Sequence, residues 1–177
     1  MKIIRKVRAL KLGRDGEKVV GQFLEELRAK GAMVFHDIPA NGFNVDHVVI
    51  SSKGIYVIET KTFSKPNGRE ATVRYDGVKL TVDGKAPSRD PVKQIQAIAA
   101  WVRGFLAEST GKTFSVKPVV VFPGWYVETA HAGAHEKVWV LNPKGLPSFI
   151  QNDKGDIPPE DVKLVSYHLS RYIRTQT

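Results

Sequence analysis

The sequence predicts an α/β sandwich, a mixed β-sheet with helices on both faces. Three observations predict it. The periodicities run helix, strands, helix, strand, strand, helix, an order that suits a sheet covered on both sides. The segment Ile55-Tyr56-Val57-Ile58 is apolar at every position, as strands internal to a covered sheet are. The early strands are joined by short turns and so pair antiparallel, whereas the later ones are entered after a helix, which leaves parallel pairing open. At 177 residues the chain suits one domain with a proper core and is short for two.

The elements follow in order. Residues Lys2 to Leu12 place Ile3, Ile4, Val7 and Leu10 at helical spacing among Lys2, Arg5, Lys6, Arg8 and Lys11, a basic amphipathic helix or arm over residues 1–12 that Gly13 interrupts. The domain proper is expected over 13–177. Asp15 is a suitable N-cap for a helix to about Lys30, with Val19, Val20, Phe23, Leu24 and Leu27 as its buried stripe and Gly31 as its stop. Ala32 to Ile38 reads as a strand and Pro39 to Phe43 as a loop. Val45 to Ile50 and Ile55 to Lys61 are two strands that Ser52-Lys53-Gly54 joins as a hairpin. A basic loop, Phe63 to Arg69, carries Lys65 and Arg69. Thr72–Tyr75 and Val78–Val82 form a second hairpin around the turn signal Asp76-Gly77. Asp90-Pro91 caps and opens a helix to about Glu108. Val116–Phe122 and Lys137–Leu141 are strands, with a loop between them that holds Trp125, Tyr126, His131 and His135. The two histidines are four apart, which suits a metal only on a helix, and their Ala- and Gly-rich surroundings read as loop. A short helical turn after Asn142 and a helix from Pro159 to Ile173 complete the chain.

Composition narrows the functional classes. The chain has no cysteine, which excludes disulfides, thiolate metal sites and cysteine nucleophiles. No apolar run approaches the length of a membrane span, and the first residues lack the pattern of a secretory signal, so a cytoplasmic location is expected. Lys and Arg number 27 against 18 Asp and Glu, a formal charge of +9. Such a surface concentrates polyanions, and nucleic acid is the expected partner.

The chemistry concentrates at the end of the apolar strand, in Glu59-Thr60-Lys61. Residues two apart on a strand share a face, so Glu59 and Lys61 point the same way. The hairpin sets the start of the preceding strand, and with it Asp46, beside them. Asp46 and Glu59 could hold one hard divalent cation, which takes few carboxylates and completes its shell with water and phosphate oxygens. The Thr60 carbonyl is a candidate further ligand. Glu17, in the first turn of its helix, could join through a water or a second metal, although a carboxylate there also suits the helix dipole. Lys61 would orient a metal-bound water and stabilise developing negative charge.

Four blocks carry a resemblance. They are Gly13-Arg14-Asp15-Gly16-Glu17, Asn44-Val45-Asp46-His47-Val48-Val49, Gly54-Ile55-Tyr56-Val57-Ile58-Glu59-Thr60-Lys61 and Asp90-Pro91-Val92-Lys93-Gln94. In order and spacing they resemble the NERD (nuclease-related domain) family of the PD-(D/E)xK nuclease superfamily, which includes restriction enzymes and Holliday-junction resolvases. The resemblance covers about the first two thirds of the chain. It implies a restriction-endonuclease-like three-layer α/β/α sandwich and a hydrolase that uses Mg²⁺ or Mn²⁺ to cut DNA, in repair or processing. It gives Gln94 a role in positioning substrate, water or Lys61, and gives Gly13 and Gly16 a role in close backbone approach. The proline that often precedes the first motif acid is replaced by Val45. Because such domains are often joined to helicase, kinase or zinc-ribbon modules, a helicase or other DNA-processing partner is open, as is a homodimer. The alternatives are a nucleic-acid-binding module that keeps the fold without turnover, and a peripheral membrane protein that uses the Lys2–Lys11 helix.

Overall fold

A computed structural model describes residues 2–65 and 71–176, and the side chains of 2–12, 14 and 132 also lie outside the description. Arg69 and the Pro66-Asn67-Gly68 turn of the expected basic loop therefore fall outside the described residues. Helix α1 (Lys2–Ala29) leads into strands β1 (Met33–Ala40), β2 (Phe43–Ser51) and β3 (Gly54–Thr60). The short strands β4 (Thr72–Tyr75) and β5 (Leu80–Val82) precede helix α2 (Pro91–Thr110). Strands β6 (Val116–Val121), β7 (Tyr126–Thr129) and β8 (Trp139–Leu141) then alternate with short 3₁₀ turns, and helices α3 (Leu146–Gln151) and α4 (Pro159–Thr175) follow.

The main sheet has the order β1-β2-β3-β6-β8. The first three strands pair antiparallel, and β6 and β8 add parallel to β3. It is a mixed sheet of the expected kind. Strand alternation sends Tyr56, Ile58, Val119 and Val121 into a core with Val20, Leu24 and Leu27 of α1 and with Leu146 and Ile150. Ile55, Val57 and Val120 face the opposite way, toward Val92, Ile95, Ile98 and Val102 of α2 and Val165 and Leu169 of α4. The result is a three-layer α/β/α sandwich with β3 fully covered on both faces.

Several expectations are corrected. Helix α1 begins at Lys2 and runs through Gly13, so Asp15 lies inside the helix and caps nothing. Of its expected buried stripe, Val20, Leu24 and Leu27 are buried, but Val19 is 39% exposed and Phe23 is half-buried. The loop expected at Pro39–Phe43 is instead a two-residue turn, Asn41-Gly42, between paired strands, with Gly42 at φ 86°, where glycine carries no Cβ penalty. The Asp76-Gly77 hairpin has four residues in its turn, since Tyr75 pairs with Leu80. The Asp76 carboxylate closes it by accepting the N–H groups of Val78 and Lys79. The stretch between β6 and β8 is not all loop: β7 pairs parallel with β4, which makes a second, three-stranded sheet, β5-β4-β7.

Two local features set the position of the site. Gly16 is buried where α1 crosses the end of β3, and a Cβ there would lie 2.3 Å from the Thr62 methyl. Close approach thus requires glycine at Gly16, whereas at Gly13 a Cβ would meet only an ordinary contact, 3.9 Å from Thr62. Asp90 caps α2 as expected, accepting from Val92 N at 3.0 Å and Lys93 N at 3.2 Å, with Pro91 in the first helical position.

Candidate active site

Strand β3 ends at Thr60 with Glu59 buried (7% exposed) on the face that looks toward α2. Lys61, just past the strand, is held in line by its N–H to Val121 O at 2.9 Å. Its ammonium donates to Glu59 Oε1 at 2.7 Å and to Gln94 Oε1 at 2.9 Å. The Gln94 amide donates to the same Glu59 oxygen at 2.8 Å. Glu59, Lys61 and Gln94 therefore form a closed triangle, and both bonds to the carboxylate fall on Oε1. Among the described residues Glu59 Oε2 makes none. A charge-assisted pair fixed by a third side chain is held far more tightly than a solvated one.

Asp46 joins from β2. The β2–β3 ladder stops at His47↔Ile58, so β2 parts from β3 at Asp46. Its carboxylate takes over the lost ladder bond, with Thr60 N–H donating to Oδ2 at 2.8 Å. In an extended strand the N–H and C=O of one residue lie on the same side, so the Thr60 carbonyl faces the gap that Asp46 borders. On the other side of β2, the β1–β2 ladder skips the pair Asp37–Asp46, and Asp37 takes a left-handed conformation at φ 49°.

The electrostatics mark this corner. Burial, reinforced by the neighbouring Glu59 carboxylate, pushes Asp46 up from 3.8 to about 6, against the opposing Thr60 hydrogen bond and the charge of Lys61. Glu17, exposed on α1, is close enough that its charge also raises Asp46, as the smallest contribution. The structure thus brings Asp46, Glu59, Thr60, Lys61 and Gln94 into direct contact, and sets Glu17 at the rim.

The half-buried Asp46 carboxyl, raised in part by the buried Glu59 carboxylate beside it, fits a cation between the two. Among the described residues no three His, Asp or Glu side chains stand close enough to hold an ion by themselves. The donor set therefore suits an ion that takes few carboxylates and completes its shell with carbonyl, water and substrate oxygens, as Mg²⁺ does.

Reading the sequence missed a histidine pair beside Asp46. His47 is 6% exposed, and its Nδ1 lies 2.9 Å from His36 Nδ1. Arg28 donates to His36 Nε2 at 3.4 Å, so His36 carries its proton on Nδ1 and donates it to His47. The His47 proton then sits on Nε2, which, like Thr60 Oγ1, has no partner among the described residues. Burial, then the facing His36, lowers His47 from 6.5 to about 4. The signal was present in Asn41-Gly42, a two-residue hairpin marker that sets His36 opposite His47. Two further histidines flank the stretch between β7 and β8: His131 Nε2 lies 3.0 Å from Asp76 O in the β4–β5 turn, and His135 Nδ1 accepts from Val140 N of β8 at 3.4 Å.

A covered mixed sheet whose central strand ends in a carboxylate–lysine–amide triangle, with a second carboxylate beside it, defines a nuclease-like class of α/β protein. The nuclease-related domain (NERD) family model matches residues 12–123, and the chain belongs to that family. The match ends just after β6 and takes in every candidate site residue. No curated protein matches the chain. Among solved structures, SfsA of Pyrococcus furiosus in complex with Ca²⁺ is similar over 75% of this chain and 55% of its own, at 18% identity and a TM-score of 0.38. The chain thus spans about half the length of that protein. Among the described residues no helix is long and apolar enough to cross a membrane.

Proposed function

We propose that this chain is a divalent-metal-dependent nuclease that hydrolyses DNA phosphodiester bonds in repair or processing. The observation that carries the proposal is the Glu59–Lys61–Gln94 triangle beside Asp46. It fixes an ammonium 2.7 Å from a buried carboxylate and leaves a second, half-buried acid alongside. Asp46 and Glu59, with the Thr60 carbonyl and with Glu17 through water, would hold Mg²⁺ or Mn²⁺. Such an ion, when bound, polarises the phosphate and lowers the pKa of its water.

The chain's own residues divide the remaining work. Glu59 and Gln94 hold Lys61 in one orientation, so its ammonium points where an attacking water and a phosphate oxygen meet. There it stabilises the negative charge that develops on phosphorus-bound oxygen, in a site sheltered enough for that charge to count. Gln94 also presents its amide to Glu59, which keeps that carboxylate from rotating toward the ammonium with both oxygens. The +9 surface draws the polyanion in.

The experiment is cleavage of labelled single-stranded, duplex and branched DNA with Mg²⁺, Mn²⁺ or EDTA, wild type beside Glu59→Ala. Wild type cuts only with metal, and Glu59→Ala falls by at least about a hundredfold. Equal cleavage by both proteins removes the site. No cleavage by wild type, with salt-sensitive binding retained, favours a binding module that keeps the fold.

A further inference from the structure

A groove lies near the site, on the α1 side of the sheet. Just past Lys61, a cleft of about 430 Å³ lies between Asp15 and Gly16 of α1 and the Thr62–Lys65 segment. It shares Val19 and Gly124 with a larger groove of about 850 Å³. That groove runs between α1 and the facing edges of the two sheets, β7 and β8. Its walls are mainly apolar: Val19 and Phe23 of α1, Trp125 from below and Phe149 from α3. Among the described residues, two cations flank it. Lys65 sits over Gly124, where a Cβ would lie 3.2 Å from its Nζ, and exposed Lys144 borders the far end. Tyr126 lines the groove and is 58% exposed, while its backbone is pinned by an N–H to Ala71 O at 3.0 Å.

We propose that this groove holds an unpaired strand of the nucleic-acid substrate as it leaves the site, with a base stacked on Tyr126 and phosphates passing Lys65 and Lys144. This rests on the nuclease reading and gives it a substrate class: DNA with a single-stranded arm beside the scissile bond. Duplex hides the faces of its bases and offers phosphates, which call for a polar, cationic trough. An apolar groove with an exposed aromatic ring and spaced lysines matches bases whose faces are free. Thr62, next in sequence to Lys61, lines the near cleft, so a strand held at Lys61 has a short path past Thr62 into the groove. Asp15, at the near cleft, disfavours a phosphate there and turns the backbone toward Lys65.

The test is fluorescence anisotropy in EDTA with a labelled oligothymidine 12-mer and a 12-base-pair duplex. Wild type binds the single strand more tightly. Tyr126→Ala weakens it by about tenfold and the duplex by less than about twofold, and Tyr126→Phe restores it. Lys144→Ala lowers the salt slope for the single strand by about one. Unchanged single-strand affinity in Tyr126→Ala, or equal loss on both ligands, overturns the proposal. The first of these outcomes leaves the groove to an extended peptide laid along the free edge of β7. Because metal is absent, the result is separate from cleavage. Tyr126-dependent binding without any metal-dependent cutting refutes the nuclease and spares the groove, and cutting without Tyr126-dependence does the reverse.

Discussion

At the scale of single residues, Asp46 and His47 are neighbours with opposed responses to pH. Asp46 rises from 3.8 to about 6. Between those values the folded chain keeps a proton that the unfolded chain gives up, so stability falls as pH rises through the window. His47 drops from 6.5 to about 4. There the unfolded chain binds the proton that the folded chain refuses, so stability falls as pH drops through that window. Each effect is worth about 3 kcal/mol, and between pH 4 and 6 they offset one another. Asp46→Asn keeps an acceptor for the Thr60 N–H and removes the carboxylate. In EDTA at pH 8 this variant melts above wild type, by up to about 3 kcal/mol. Between pH 7 and 4.5 it loses stability more steeply than wild type, because His47 then acts alone. Melting curves across that range check both signs, and a variant less stable than wild type at pH 8 would show that the half-buried carboxylate is not under strain. On the nuclease reading, activity and stability conflict at this residue, as they do where a site is built from groups the fold would rather leave out.

At the scale of elements, the site depends on how three of them end. Helix α2 presents Gln94 from its first turn, and the Asp90 cap sets that turn. Asp90→Ala should lower stability by about 1 kcal/mol, a drop in melting temperature of about 2–4 °C for a chain of this size. It should also reduce cleavage by loosening Gln94, though by less than Gln94→Ala does, while Asp90→Asn restores both. Full activity in Asp90→Ala would mean that Gln94 is held by Glu59 and Lys61 alone. This arrangement was legible in the sequence because its signals are local. Asp90-Pro91 announces a helix start, the parity of β3 puts Glu59 beside Lys61, and a short hairpin brings Asp46 to them. What was illegible depends on distant partners. Tyr126–Thr129 becomes a strand only because β4, more than fifty residues earlier, accepts it. Gly13 reads as a break, yet α1 continues through it, and Gly16 matters for a packing distance to Thr62 that no spacing rule reports. Val19 and Phe23 share a helical face with Val20 and Leu24, and only the sheet's position decides which of them it covers. The groove, made from α1, β7 and β8 together, could not be anticipated from any one segment.

At the scale of the whole molecule, the half-buried Asp46 carboxyl, raised to about 6 by burial and by the buried Glu59 beside it, is a group that a bound ion would relieve. A ligand that binds only the folded chain stabilises it by about 2.7 kcal/mol at a hundred times its dissociation constant. For this length that is a rise of about 5–10 °C in melting temperature. With Mg²⁺ or Mn²⁺ at pH 8, wild type should show such a rise over EDTA, and Glu59→Gln and Asp46→Asn should not. The gap between wild type and Asp46→Asn then closes, because a rise of about 2.7 kcal/mol in wild type alone offsets most of the variant's lead of up to about 3 kcal/mol. Because an ion must displace the proton that Asp46 holds up to about pH 6, the rise in wild type should shrink toward pH 5. General cation effects predict none of this. They would act on all three proteins alike, and on a basic surface they would be weak. A rise that appears equally in both variants, or that persists unchanged at pH 5, would place the ion elsewhere on the chain and take Asp46 and Glu59 out of its coordination.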